Sequence, residues 1–176
     1  DDGTRRGFED CCSLLGLTPD EKYGSTWERV SRQVGTFVTP GRLAAANEQL
    51  ALTLLLTFAI GNADCHTKNL ALLYSNEKDV ELAPIYDMLS IAAYDDYADN
   101  PPGMFVGGRK SWDPGKALWF FMQQSLGIEP ACQRALVERV CGAMADTFPE
   151  LLRWAGELPA FAPVAARVAH EWNQGF

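Results

Sequence analysis

Apolar positions recur every three to four residues over most of this chain, a spacing that predicts a mainly α fold. A short helix is predicted from Phe8 to Leu15, stopped by Gly16 and followed by a polar turn, Thr18-Pro19-Asp20-Glu21-Lys22. Ser25-Thr26-Trp27-Glu28 has the spacing of a capping box, with Ser25 and Glu28 placed to satisfy orphan amides at a helix start. Val30, Val34 and Phe37 carry that helix to Thr39-Pro40. Pro40 then opens a long helix to about Ile60. Leu43, Ala46, Leu50, Leu54 and Phe58 line one face and Leu52, Leu55, Leu56 and Ala59 fill others, so this helix should be buried all round.

The period then shortens. Asn69 to Tyr74 and Val80 to Pro84, joined by the polar turn Ser75 to Asp79, read as a short β-hairpin, the one strand signal in the pattern. Tyr94 to Pro102 is acidic and turn-rich, which predicts a surface loop able to cover a site. Asp113-Pro114 marks a cap and first-turn proline for a helix ending at Gly127. Two more stripes follow, Leu136 to Met144 and Phe161 to Trp172, with Pro149 and Pro159 as punctuation. Trp27, Trp119, Trp154 and Trp172 fall at helical spacing with other apolar residues and are expected in packing interfaces. No linker or repeat divides the chain, so residues 1–176 are taken as one domain.

Composition narrows the class. With 176 residues, 47% hydrophobic and 11% aromatic, the chain can bury enough surface to fold. The longest apolar run, Leu50 to Ile60, is too short to cross a bilayer, and Asp1-Asp2-Gly3-Thr4-Arg5-Arg6 is no secretory leader; a cytoplasmic protein is expected. The cysteines Cys11, Cys12, Cys65, Cys132 and Cys141 form no C-x-x-C pair and are expected as reduced thiols. A net charge of −8 disfavours direct nucleic-acid binding, which depends on basic residues.

Between the most apolar helix and the hairpin stands Gly61-Asn62-Ala63-Asp64-Cys65-His66-Thr67-Lys68-Asn69, a polar loop in a buried frame. Asp64 and Asn69 are five positions apart, the spacing between the base Asp and metal-binding Asn of a kinase catalytic loop. Asp87 follows the hairpin, where a kinase places its second metal-binding acid. Phosphoryl transfer needs positioning more than covalent help, and magnesium takes one or two carboxylates while keeping sites for phosphate and water. Asn69 and Asp87 suit that share, Asp64 is free to orient an attacking hydroxyl, and Lys68 could neutralise phosphate charge. His66 could polarise the hydroxyl or be a satisfied loop histidine, and Asp87 could instead cap a helix starting at Met88 or Leu89. Gly107-Gly108-Arg109-Lys110-Ser111-Trp112 reads either as a phosphate- or peptide-binding loop or as a turn into the next helix.

The run Asn62 to Asn69 together with Ala83-Pro84-Ile85-Tyr86-Asp87-Met88-Leu89-Ser90 resembles the catalytic loop and metal motif of HipA-type toxin kinases. The D-x-H-x-K-N core is the strongest part of that match, and its D-x-H-x-x-N order also resembles the loop of phosphoinositide-type lipid kinases. Glu9-Asp10-Cys11-Cys12 and Leu17 to Tyr23 resemble the segment ahead of that loop, and the likeness runs from about Phe8 to Gly127. It implies a kinase-like C-terminal lobe of a serine/threonine protein kinase using ATP and Mg2+, from a bacterial toxin–antitoxin system. It further implies Asp64 as catalytic, with His66 and Lys68 in the same motif, and Asn69 and Asp87 as metal and cofactor ligands. An aminoacyl-tRNA synthetase is an implied protein substrate, and a DNA-binding HipB-like antitoxin an implied partner. A kinase also needs a Gly-rich loop and a strand lysine over its nucleotide, and neither is found before Asp64. The N-terminal nucleotide-binding lobe is therefore expected to be absent from this chain. A non-catalytic module that binds an antitoxin or a separate N-lobe is the alternative.

Overall fold

The computed structural model describes residues 5–174; Asp1 to Thr4, on which the no-leader reading rests in part, lie outside them. The elements are β1 (Gly7–Asp10), α1 (Cys11–Leu14), α2 (Trp27–Phe37), α3 (Leu43–Ala59), β2 (Ala71–Asn76), β3 (Asp79–Leu82), α4 (Lys116–Gln124), α5 (Pro130–Glu157) and α6 (Ala162–Gln174). The mainly α class with a short hairpin holds, and the hairpin gains a third strand. The antiparallel order is β1-β2-β3, with Phe8 opposite Leu73 and Leu72 opposite Leu82.

That third strand replaces half of the helix predicted from Phe8 to Leu15. Gly7 to Asp10 is drawn out to pair with Tyr74 to Ala71, and the ladder passes into α1, where Cys11 N donates to Leu70 O at 2.8 Å. Asp10 then caps the shortened α1, accepting from Ser13 N at 2.8 Å.

The predicted capping box does not form, and the cap shifts by one residue. Thr26, not Ser25, caps α2, accepting from Arg29 N at 3.1 Å. The cause lies far along the chain: Trp27 N donates to Phe105 O and Phe105 N to Ser25 O, tying Ser25 to the Phe105 segment with its hydroxyl buried. Glu28 turns instead to Gly107, accepting from its N–H at 2.8 Å.

Pro40 begins a single turn of 3-10 helix, Pro40–Arg42, that feeds α3. Leu50, Leu54 and Leu55 of α3 are wholly buried, each contributing ~1.5–3 kcal/mol of burial. The two threonines inside this apolar helix stay satisfied, Thr53 donating to Gln49 O and Thr57 to Thr53 O, both at 2.8 Å.

Three expectations for the C-terminal third are corrected. The cap of α4 is Gly115 at φ 51°, so Asp113 and Pro114 lie in the turn before the helix. Pro149 does not punctuate: α5 runs through it, at a point where both Pro149 and Ala145, four residues earlier, are exposed. The break comes ahead of Pro159, between α5 and α6. Among the tryptophans, Trp27 is buried edge-on to Phe121 and Trp154, though partly exposed, lines a groove between α5 and α6 with Phe161 and Trp172, whereas Trp119 of α4 is about two-fifths exposed. All five cysteines are free thiols. Among the described residues no helix is long and apolar enough to cross a membrane.

The core lies where α2, α3, α4 and the start of α5 meet the inner face of the sheet. α6 crosses back over the segment after β3, Trp172 Nε1 donating to Ser90 Oγ at 3.0 Å and Arg167 Nε to Ala93 O at 2.5 Å. The stretch beyond Asp87 is thereby pinned from outside.

Candidate active site

The polar loop leaves α3 through Gly61, whose φ of +64° and closeness to Ala92 leave no room for a side chain. Asn62 is buried and works as a hub: its Oδ1 accepts from Asp64 N at 3.2 Å and its Nδ2 points to Met88 Sδ at 3.2 Å. Cys65 lies beneath Gly103, where any Cβ would stand 2.2 Å from the Cys65 carbonyl oxygen. A last turn, Thr67–Asn69, is closed by Asn69 Oδ1 accepting from His66 N at 2.9 Å. The loop shape is thus set by its own polar side chains and by neighbours from three later segments.

The hairpin then folds the chain back. Asn69 Nδ2 donates to Asp87 Oδ2 at 2.5 Å, joining residues 18 apart in sequence. Tyr86 locks the same junction by donating its hydroxyl to Lys68 O, and its ring packs on Phe8 at 5.9 Å. Asp87 sits at φ +55°, the only non-glycine residue with positive φ among those described. Such strain is tolerated where surrounding contacts over-determine a residue, and it collects at functional sites. The helix-cap alternative for Asp87 fails, since the next helical turn is Ile91–Ala93.

Asp64, half-buried, accepts from the Tyr23 hydroxyl, and His66 Nε2 lies 3.9 Å from its Oδ1. His66 is only 5% exposed, packs edge-on to Tyr23 at 5.0 Å, and has no hydrogen-bond partner at Nδ1. Burial first, then the Lys22 charge, push its pKa below the usual histidine value, so it is held neutral. Burial, reinforced by the carboxylate of Asp64, pushes Tyr23 up to about 12, which keeps it a donor. Cys65 rises to about 11, first through burial and then through Asp64 and Asp87 together. Both carboxylates therefore act on one residue between them, and the Cys65 thiol stays protonated. Lys68 points its side chain to solvent.

Beside Asp64 opens a cavity of about 410 Å³, lined by Lys22, Tyr23, Asp64, Tyr97, Gly103 and Lys110 among others. The acidic loop borders this cavity, with Tyr97, Asn100 and Pro101 forming one wall. The sequence pattern singled out neither Tyr23 nor Gly103. Tyr23 carried one signal, its place in a turn-like segment with no apolar partner of its own. Gly103 carried none, because its contact with Cys65 joins segments 38 positions apart.

A helical frame, a polar loop closing on a hairpin and an acid just beyond it define a kinase-like C-terminal lobe. The family described as HipA-like C-terminal domain matches residues 1–148, and the chain belongs to it. In structure it is similar to a chain in the Shewanella oneidensis MR-1 toxin–antitoxin complex of HipA, HipB and operator DNA, with a TM-score of 0.79 at 18% identity over 99% of this chain and 45% of that one. Two curated relatives from Sinorhizobium fredii (strain NBRC 101917 / NGR234) are similar in sequence. "Putative kinase Y4mE" is 33% identical over 90 residues, 50% of this chain and 21% of the relative. "Putative kinase Y4dM" is 32% identical over 88 residues, 49% of this chain and 20% of the relative. The matched region thus spans about a fifth of the length of these relatives.

Proposed function

We propose that this chain is the catalytic-loop lobe of a HipA-type toxin kinase, transferring the γ-phosphate of ATP to a serine or threonine hydroxyl of a protein with Mg2+. The reading is carried by the Asn69–Asp87 hydrogen bond at 2.5 Å, with Asp64 at the far end of the same loop. Among the described residues no three His, Cys, Asp or Glu side chains converge as a metal cage. What converges is one carboxylate and one amide, a donor set suited to an ion that completes its sphere with phosphate oxygens and water. Asp87 has a carboxylate oxygen beyond the one Asn69 occupies, and Asn69 Oδ1 keeps a second lone pair beside its bond to His66 N. Bound there, Mg2+ would neutralise charge on the nucleotide phosphates.

The remaining roles belong to the chain itself. Asp64 orients the acceptor hydroxyl and takes its proton, while Tyr23 fixes the carboxylate by donating to it. Buried and neutral, His66 backs Tyr23 and acts by positioning. Lys68, exposed, is left to meet phosphate charge. Contacts to the base and outer phosphates of ATP are assigned to residues outside this chain. A HipB-like antitoxin as partner, and an aminoacyl-tRNA synthetase as protein substrate, accompany this reading.

A second reading, an interaction module that engages an antitoxin or a separate nucleotide lobe without turnover, draws on the exposed Trp119 and Phe120 of α4. Phosphate transfer measured on the chain, with a family nucleotide lobe supplied, decides between them. Asp64→Asn and Asp87→Asn should each abolish magnesium-dependent transfer. Turnover unchanged in either variant overturns the assignment, and no nucleotide affinity with antitoxin binding retained favours the module.

A further inference from the structure

We propose that the cavity beside Asp64 is an acceptor-side anion subsite, in which Lys22 and Lys110 receive a carboxylate or phosphate carried next to the hydroxyl that is phosphorylated. The inference rests on the kinase reading and names the class of peptide that lobe selects.

The cavity is lined by Ala63 and Asp64 but by neither Asn69 nor Asp87, so it lies on the side of Asp64 away from the metal pair. Tyr23 spans it. Its hydroxyl donates to Asp64 while its ring carries the Lys22 ammonium at 4.8 Å and the Lys110 ammonium at 5.7 Å from the centroid. Lys110 also lies 5.3 Å from the Phe105 ring. Aromatic faces hold ammonium groups in place without neutralising them. Among the described residues neither lysine has a carboxylate within ion-pair distance. Two cations left unmatched in a chain of net charge −8 are available to a ligand.

Both lysines stand on backbone that is tied down. Lys22 O accepts from Thr67 N at 3.3 Å and from Thr67 Oγ1 at 3.1 Å, which staples its segment to the catalytic loop. Lys110 follows a tight turn in which Val106 and Arg109 exchange backbone hydrogen bonds across Gly107 (φ +56°) and Gly108 (φ +76°). Gly107 is held by Glu28 on one side, and on the other a Cβ would stand 2.5 Å from Ala117 Cβ. The glycine-rich motif is thus a turn that aims a lysine at the cavity. Burial lowers the Lys110 pKa, a cost that an incoming anion would offset. With the hydroxyl at Asp64, an extended peptide advancing ~3.3 Å per residue brings a side chain one or two positions away to the lysines.

The test uses three seryl peptides differing only beside the serine: glutamate, phosphoserine or alanine. Binding to the chain is read by calorimetry, and phosphate transfer by the full reading frame that contains it. The glutamate and phosphoserine peptides should bind about tenfold tighter than the alanine peptide, and phosphoserine above glutamate would identify phosphate as the preferred anion. Lys110→Met and Lys22→Met should each remove most of that preference through KM rather than kcat, while Lys78→Met, on the hairpin tip, leaves it unchanged. Equal affinity for all three peptides, or a preference that survives both lysine changes, overturns the subsite. Transfer that needs Asp64 but ignores neighbouring charge overturns the subsite alone. Transfer indifferent to Asp64→Asn, with lysine-dependent peptide binding intact, overturns the kinase reading and leaves the anion site standing.

Discussion

The loop from Gly61 to Asn69 and the helix α5 depart from the usual inside–outside sorting in opposite directions. The loop buries Asn62, His66, Thr67 and Asn69, whereas α5 exposes Leu152 by 54% and Trp154 by 42%. Burial of polar groups is tolerated when partners are supplied, and for Asn62, Thr67 and Asn69 they come from the Lys22–Tyr23 turn, from the loop itself and from the segment after β3, whereas the His66 ring is packed against Tyr23 with its Nδ1 unpaired. α5 is 28 residues long yet wholly buries only Gln133, Leu136 and Val140. It is held by one stripe near its start and by α6. A polar loop fixed by several distant segments transmits any change to Asp64 and Asp87. A helix held by one stripe absorbs change locally.

The largest effect expected is on chemistry. Asp64→Asn should cut phosphate transfer roughly 10²–10⁴-fold with the melting temperature held within about 3 °C. Leu152→Ala in α5 should leave transfer untouched, and a comparable loss there would erase the distinction between the two regions. Next comes packing: Gly103→Ala drives a methyl into the Cys65 carbonyl and should destabilise by about 3 kcal/mol, read in urea titrations. An alanine accepted without cost would mean that the loop is less tightly framed than its contacts imply.

Smaller and opposite in sign, Pro149→Ala restores a helical hydrogen-bond donor at an exposed site in α5 and should stabilise by about 1–2 kcal/mol. Loss of stability would show that Pro149 shapes contacts with α6. The smallest effect is a pH slope. Because burial holds the folded-state pKa of His66 below its unfolded value near 6.5, the unfolded chain binds the extra proton as pH falls. Stability is fully present above about pH 6.5 and is lost as pH drops below it. His66→Gln should flatten that slope in pH-dependent denaturation, and an unchanged slope would assign it to other groups.

Much of the site was legible because its chemistry is compressed into nine residues and a hairpin. Asp64, His66, Lys68 and Asn69 stand on one loop, and the hairpin read from Asn69 to Pro84, with Asp87 directly after it where a kinase carries its second metal-binding acid, pointed to the Asp87 that the structure joins to Asn69. What escaped was every partner without a local signature. Tyr23 reaches Asp64 across 41 positions, and β1 became a strand only because Ala71 to Tyr74 offered it an edge. Helical spacing placed the tryptophans on helices but could not tell an inward face from an outward one at Trp119, which stays about two-fifths exposed on α4.

Periodicity and local spacing by themselves determined the helical frame, the buried character of α3 from Leu50 onward and the residues on the polar loop, because each depends on neighbours a few positions away; the first turns of α3, with Ala44, Ala45 and Glu48 exposed, are not buried all round as its apolar pattern predicted. Tertiary structure alone decided that Asn69 bonds Asp87, that Asp87 takes a left-handed backbone, and that Lys22, Tyr23 and Lys110 meet around one cavity. Those outcomes follow from closing long loops against a close-packed core, where the position of each segment is set by the others and not by its own residues.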